Sequence, residues 1–433
     1  MKRISLNVIL TGIIVILVAA LVGVLVYLKN QPPQKRGVAP IVQIVSMEPD
    51  SAIWGENFPN EYSTLLLTRT NNARTQYGGS EPYSKLIEDP RLIALFKGYT
   101  FEKDYNEDRG HLNSLIDVRA TKRVNDKTPG TCYSCKSTDN PRLWAELGMA
   151  TFDHAPFSEL GTRINNPIGC ANCHEAGTMR LIVTNPALEE ALTAQGKDWR
   201  TFTRQQMRTI VCANCHVEYY FAGDGKYLTF PWKNGTKIEN IAQYYVEIAF
   251  KDWDHQISGA PMIKMQHPDF ELYTADSTHY RAGVSCADCH MPYTRDGAAK
   301  FSSHDVKSPL SEVDKACGAC HTDVEYVKSR VETIQEQVYE TLIATEDALV
   351  AAITSIQAAG ASPNVDPALL NEARSLHREA QLRWDFIAAE NSMGFHNPEE
   401  ALRILAIATN LARQAQLKAV QAAGTPAVLP ASP

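Results

Sequence analysis

Two hydrophobic patterns lie at opposite ends of the chain. Near the start, Leu6 to Leu28 carries no charged residue. As a helix rising about 1.5 Å per residue, that run is long enough to cross a hydrocarbon layer about 30 Å thick. It predicts a membrane anchor over residues 6–28, within a segment 1–29. A cleaved leader would have an apolar stretch of only about 7–15 residues followed by a small-residue cleavage site. No such site precedes Tyr27-Leu28-Lys29, so the anchor is expected to stay. Residues 30–42 are polar and proline-bearing and predict a linker. At the other end, Val327, Val331, Ile334, Val338, Leu342, Leu349, Ile353 and Ile356 step by threes, fours and one double interval, which predicts a long amphipathic helix. Leu369, Ala373, Leu376, Ala380, Trp384 and Ile387 mark a second helix from about Pro367 to Ala389. A third opens with Asn397 as cap, Pro398 in the first position and Glu399-Glu400 in the first turn. The tail 424–433 is rich in proline and alanine.

Between these ends the periodicity breaks down. Short segments are interrupted by Gly, Pro and Asn, as at Asn165-Asn166-Pro167 and Phe221-Ala222-Gly223-Asp224-Gly225, with little strand-like alternation. A protein of 433 residues, 44% hydrophobic and 21% charged, has ample material for a core. The missing regularity in the middle therefore suggests that something other than packed elements fills it. The net charge of -7 offers no basic footprint, and nucleic acid is set aside as a partner.

The cysteines say what fills it. All ten fall into five Cys-x-x-Cys pairs: Cys132/Cys135, Cys170/Cys173, Cys212/Cys215, Cys286/Cys289 and Cys317/Cys320. His174, His216, His290 and His321 follow four of them directly, and Lys136 follows the first. In c-type haem attachment two cysteines form thioethers with the haem vinyl groups, and the next residue reaches the iron from the same turn. Zinc ribbons want their pairs about 15–20 residues apart, which the wide gaps here do not match. The pattern thus predicts five covalently bound haems c. Haem is attached outside the bacterial cytoplasmic membrane, so the body after the anchor is expected on the periplasmic face.

Lys136 is the departure that matters. An amine binds iron only when deprotonated, against a free pKa near 10.4. The iron's Lewis acidity and burial favour the neutral form. The bland alternative makes Lys136 a surface charge and gives haem 1 another ligand. Eight histidines remain beyond the four proximal ones: His111, His154, His255, His267, His279, His304, His377 and His396. Four of these would close four bis-histidine haems, which spacing alone does not pair. Those haems would only pass electrons, whereas an open lysine-ligated iron could bind a substrate.

One Cys-x-x-Cys-Lys followed by four Cys-x-x-Cys-His resembles the ammonia-forming cytochrome c nitrite reductase family. Supporting segments are Arg109-Gly110-His111, His216-Val217-Glu218-Tyr219-Tyr220-Phe221, Lys264-Met265-Gln266-His267-Pro268, Cys289-His290-Met291-Pro292 and Gly394-Phe395-His396. The resemblance implies a mainly α pentahaem fold, with a catalytic region over 43–322 and long C-terminal helices over 323–423 that form a homodimer interface. It implies distal ligands His304 for haem 2, His111 for haem 3, His396 for haem 4 and His279 for haem 5. Haem 1 would stay open, facing Arg123, Tyr219 and His267, with Arg119 close enough in sequence to compete with Arg123. One calcium ion would sit on Glu218, the Tyr219 and Lys264 carbonyls and the Gln266 side chain. The implied reaction is six-electron reduction of nitrite to ammonium. The implied donor is a quinol-oxidising membrane cytochrome or another multihaem carrier. Two other readings remain at this point: an electron-transfer cytochrome whose first haem is closed by His154 or His255, and a reductase of hydroxylamine, nitric oxide or sulfite.

Overall fold

The computed structural model describes residue 10, residues 13–23 and residues 40–424, in two units divided between Gln43 and Ile44. In the first unit Ile13–Gly23 is an apolar helix with exposed side chains. The rest of the expected anchor, most of the linker and the tail beyond residue 424 lie outside the described residues.

In the second unit the three expected long helices are Val324–Gly360, Pro367–Ala388 and Pro398–Ala422, packed on one another. Each starts on a side chain that accepts from otherwise unpaired backbone N–H groups: Asp323 from Tyr326, Asp366 from Ala368 and Leu369, Asn397 from Glu400. Val331, Val338, Leu342, Leu349, Ile353 and Ile356 are buried along the first. The last buries Ala401, Ala408, Ala412, Ala415, Ala419 and Ala422 at steps of seven, four and three, and small side chains there let the helices approach closely. Among the described residues, Val324–Gly360 alone is long and apolar enough to cross a membrane, but half of its most apolar stretch is buried inside the protein. It is a core helix.

Before Val324 the chain forms short helices, 3₁₀ turns and four antiparallel two-stranded ribbons. Two hydrophobic clusters organise it. One joins Leu95, Phe96, Trp253, Met262 and Met265 to Val338, Trp384, Ile387 and Leu405, so the middle of the chain and the C-terminal helices share a core. The other gathers Tyr133, Leu143, Trp144, Phe152, Phe157, Ala213, Val217 and Trp232 around the first and third cysteine motifs, with Tyr133 and Phe157 stacked at 4.0 Å.

Haem motifs and candidate active site

Each motif sits on a helical turn that brings its functional atoms to one side. The backbone N–H of His174, His216 and His321 donates to the carbonyl of the first cysteine of its motif at 3.0, 2.9 and 2.9 Å. Cys286–His290 is itself a short α-helix, and Lys136 N–H donates to Tyr133 O at 2.9 Å. One turn thus carries two thiols and the following ligand. The motifs are not arranged in chain order. The thiol of Cys135 meets that of Cys215, and Cys212 meets Cys286, so the third motif touches the first and the fourth.

The fifth motif is the most exposed of the five. Cys320 is exposed, and so is His321 after it, whereas the other nine cysteines are half-buried. The reason is position. The turn from Cys317 to Cys320 links the short helix Val313–Ala316 to the start of Val324–Gly360, and its Gly318 and Ala319 face solvent as well. A haem held by Cys317 and Cys320 would therefore sit at the surface of the body, with Cys320 on its outer side.

Two imidazoles on opposite faces of one metal ion have ring centres about 6.3 Å apart, given a bond of about 2.0 Å to each nitrogen. The four histidine pairs implied by the resemblance stand at that separation. His174 and His304 are 6.1 Å apart, His111 and His216 6.5 Å, His290 and His396 6.2 Å, and His279 and His321 6.4 Å. Burial lowers His111, His174 and His290 to about 4, which keeps each ring neutral with one nitrogen free to bind a metal, whereas the carboxylates beside His216 and His396 raise those two. With all ten thiols free of disulfides, the exposed Cys320 included, the residues present fit five covalent haems.

Beside the first motif the other expected residues converge. Lys136 lies within electrostatic reach of Asp108, His111, His267, Cys132 and Cys135. His267 Nδ1 is 3.9 Å from Asp108 Oδ2. Burial lowers His267 to about 4, with Asp108 opposing; burial alone would raise Asp108, but the cationic groups around it hold it at about 2. Burial pushes the Tyr219 hydroxyl well above its ordinary value, while Arg123 pulls the other way, so it stays a neutral donor. The Arg123 guanidinium lies over the Phe101 ring at 4.1 Å, and its Nε donates to Thr121 Oγ1 at 3.2 Å. Arg119 is committed elsewhere. It donates to the carbonyls of Ile164 and Gly161 at 2.6 and 3.1 Å and to Tyr133 Oη at 3.4 Å.

The segment Lys264 to His267 passes behind this cluster and is tied down twice. Lys264 Nζ pairs with Asp385 Oδ1 at 2.8 Å, both side chains at most 1% exposed, and Asp385 Oδ2 accepts from Met265 N at 2.8 Å. Glu218, fully buried, accepts from Gln266 N at 2.7 Å and from the Tyr245 hydroxyl at 2.7 Å. Gln266 Nε2 donates to the Lys264 carbonyl at 3.1 Å, which sets the amide beside that oxygen. Burial pushes Glu218 well above the usual carboxylate range, and no cationic side chain pairs with it among the described residues. A buried carboxylate with carbonyl and amide oxygens at hand is the hard-oxygen set that suits calcium.

The remaining histidines are accounted for. His255 Nε2 faces Ala94 O at 2.9 Å and its Nδ1 accepts from Ser258 N at 3.2 Å, while His377 bonds Ser258 and Gln381 at 3.1 and 3.0 Å. His154 is exposed on the helix Met149–His154. Sequence reasoning missed Asp108, Asp269, Asp385 and Glu390. Asp108, Asp269 and Asp385 act on residues far away in the chain, so their spacing does not mark them. Glu390 is local, bonded to Ser392 and Gly394 and beside His396, and it and Asp108, directly before Arg109-Gly110-His111, lie next to segments the resemblance singles out.

A family model described as Cytochrome c552 matches residues 50–432. A protein named Cytochrome c-552 from Bacteroides fragilis (strain YCH46) is 41% identical, with 87% of this chain and 78% of that one aligned. Its namesake from Aliarcobacter butzleri (strain RM4018) is 35% identical over 94% of this chain and 84% of its own. Among solved structures, the cytochrome c nitrite reductase from Desulfovibrio desulfuricans ATCC 27774, described for the relevance of its two calcium sites, superposes with a TM-score of 0.84. It is 35% identical and covers 88% of each chain.

Proposed function

The chain belongs to the cytochrome c552 family, and on that premise we propose that it reduces nitrite to ammonium at a haem c held by Lys136, with four bis-histidine haems c supplying the electrons. The observation that carries the reading is the meeting of Arg123, Tyr219 and His267 beside the one motif that ends in lysine, while four histidine pairs elsewhere match the spacing of trans ligands. The reaction consumes one nitrite, six electrons and eight protons, and yields one ammonium and two waters.

The haem group supplies a binding position for nitrite and a path for electrons. The protein's own side chains do the rest. Arg123, over Phe101 and fixed by Thr121, puts positive charge where an anion must settle. Tyr219, held neutral, donates a hydrogen bond to an anion oxygen. His267, with ionised Asp108 behind its Nδ1, is oriented to hand on a proton as nitrogen–oxygen bonds break. Calcium on Glu218, the Tyr219 and Lys264 carbonyls and the Gln266 amide oxygen would fix the backbone that carries Tyr219 and His267 and add positive potential.

The surroundings of the reading are likewise proposed. Residues 6–28 anchor the protein on the periplasmic face of the cytoplasmic membrane, supported by the apolar helix Ile13–Gly23. A quinol-oxidising multihaem cytochrome in that membrane, or another multihaem carrier, delivers electrons. The outward face of the long helices, where Tyr326 is 66% exposed, meets a second copy.

The test is nitrite-dependent oxidation of reduced methyl viologen by the haem-loaded protein, with ammonium quantified, beside Lys136→His. Stoichiometric ammonium from the parent and a large loss in the variant are expected. A fully reducible protein with no nitrite turnover would overturn the reading in favour of an electron carrier. Faster turnover of hydroxylamine, nitric oxide or sulfite would move the substrate but not the site.

A further inference from the structure

When iron takes one nitrogen of an imidazole, the other is left to a neighbour that tunes it. For His174, His304 and His290 the neighbour of Nδ1 is a neutral backbone carbonyl: Met179 at 3.0 Å, Ser302 at 2.9 Å and Lys307 at 2.9 Å. His216 and His396 differ. His216 Nδ1 is 3.3 Å from Asp269 Oδ2. His396 Nδ1 is 3.6 Å from the other oxygen of the same carboxylate and 3.2 Å from Glu390 Oε2, close enough for a charge interaction but not aligned as a hydrogen bond to either. One aspartate therefore stands between the ligand that follows the third motif and the ligand opposite the fourth.

We propose that Asp269 is a shared positioning residue that backs both His216 and His396 and so lowers the reduction potentials of haems 3 and 4 together, while Glu390 adds to haem 4 alone. The hydrogen bond to an anionic acceptor makes His216 a stronger donor, and the carboxylates place negative charge near the irons of both haems; both effects favour the ferric state. A carbonyl does less. Neither carboxylate is free to swing away. Asp269, 7% exposed, accepts from Asn391 N at 2.7 Å and Asn391 Nδ2 at 2.9 Å. Glu390, 5% exposed, accepts from Ser392 N at 2.9 Å, Ser392 Oγ at 2.7 Å and Gly394 N at 2.5 Å. Because the third motif also touches the first through Cys215 and Cys135, a low potential at haem 3 holds strongly reducing electrons next to the lysine-ligated haem.

The inference rests on the histidine pairing proposed above, so the first measurement is an EPR-monitored redox titration of the haem-loaded parent. Four low-spin haems beside one distinct haem are expected. Without them the pairing falls, whatever Asp269 does. With them, Asp269→Asn is expected to raise two midpoints together and leave haem 2 in place. A tenfold change in the oxidised-to-reduced ratio of each would be a shift of about 59 mV for one electron. Asp269→Glu, which keeps the charge, should return both midpoints towards the parent, and Glu390→Gln should raise one only. If Asp269→Asn moves one midpoint or none while four low-spin haems persist, the shared role is overturned and the pairing stands. Should that variant fail to load haem, redox-difference infrared spectra of the parent with ¹³C-aspartate decide. A labelled carboxylate band responding across two midpoints supports the proposal, and no such band overturns it.

Discussion

Replacing Asp385 by asparagine changes almost no volume and keeps an acceptor for Met265 N, but it removes the only carboxylate that pairs with Lys264 among the described contacts. Lys264 is 1% exposed and lies about equally near the Phe96, Phe101 and Tyr105 rings, at 5.2, 5.1 and 5.2 Å. A buried ammonium stranded in this way costs about 3–5 kcal/mol. The three ring faces and the Met265 carbonyl at 2.5 Å still favour the cation, which argues for the lower end. At about 2.1 cal/mol/K per residue, a folded body of roughly 380 residues has an unfolding entropy of about 0.8 kcal/mol/K, so the melting temperature should fall by about 4 °C. The assay is calorimetry of the haem-loaded protein at one fixed scan rate. Lys264→Met combined with Asp385→Asn removes both charges and should recover most of the loss, since a buried pair replaced by neutral groups of similar volume is near neutral. A single variant that melts within about 1 °C of the parent would refute the argument that this pair holds the site loop. A double variant no better than the single would show that a stranded charge is not the cause.

Three further outcomes follow from the same geometry. Arg123→Lys should cut nitrite turnover by about 10²–10³, the usual loss for one charge-stabilising donor; Arg119→Lys should lower the melting temperature, through its carbonyl bonds to Ile164 and Gly161, with turnover near the parent's, which parallel kinetics and melting curves will check. Glu218→Gln should reduce calcium, measured by elemental analysis against iron, to well below its parent ratio, and added calcium should stimulate the variant only at higher concentration. Gly394 has φ +76, and a Cβ there would stand 2.7 Å from Val338 Cγ2 and 3.0 Å from Ala401 Cβ. Gly394→Ala should therefore cost about 1–3 kcal/mol and disturb the low-spin signal of one haem by displacing His396, as melting and EPR will show.

Whatever depends on neighbours along the chain is legible in the sequence. The five cysteine pairs and the residues that follow them are local turns, visible in spacing because two thiols and a ligand must share one helical turn. The stripes of the three long helices are local as well, and Asn397 and Pro398 mark the start of the third where the pattern places it. Which distant residues meet depends on how the chain folds. His111 faces His216 and His304 faces His174 because separate segments fold together around a shared core, and no local period encodes that meeting. Depth is decided in the same way: Cys317-Gly318-Ala319-Cys320-His321 reads like the other motifs, yet its place at the edge of the body leaves Cys320 exposed. Arg123 is the arginine expected in the pocket, with Arg119 a near neighbour in sequence. They part because the helix Ser114–Ala120 ends at an extended Thr121, which sends Arg123 to Phe101 and leaves Arg119 on the carbonyls of Ile164 and Gly161. Asp269 and Asp385 look like ordinary acidic residues in the chain. They acquire their roles from burial, because a carboxylate excluded from water must find its partner wherever the fold supplies one.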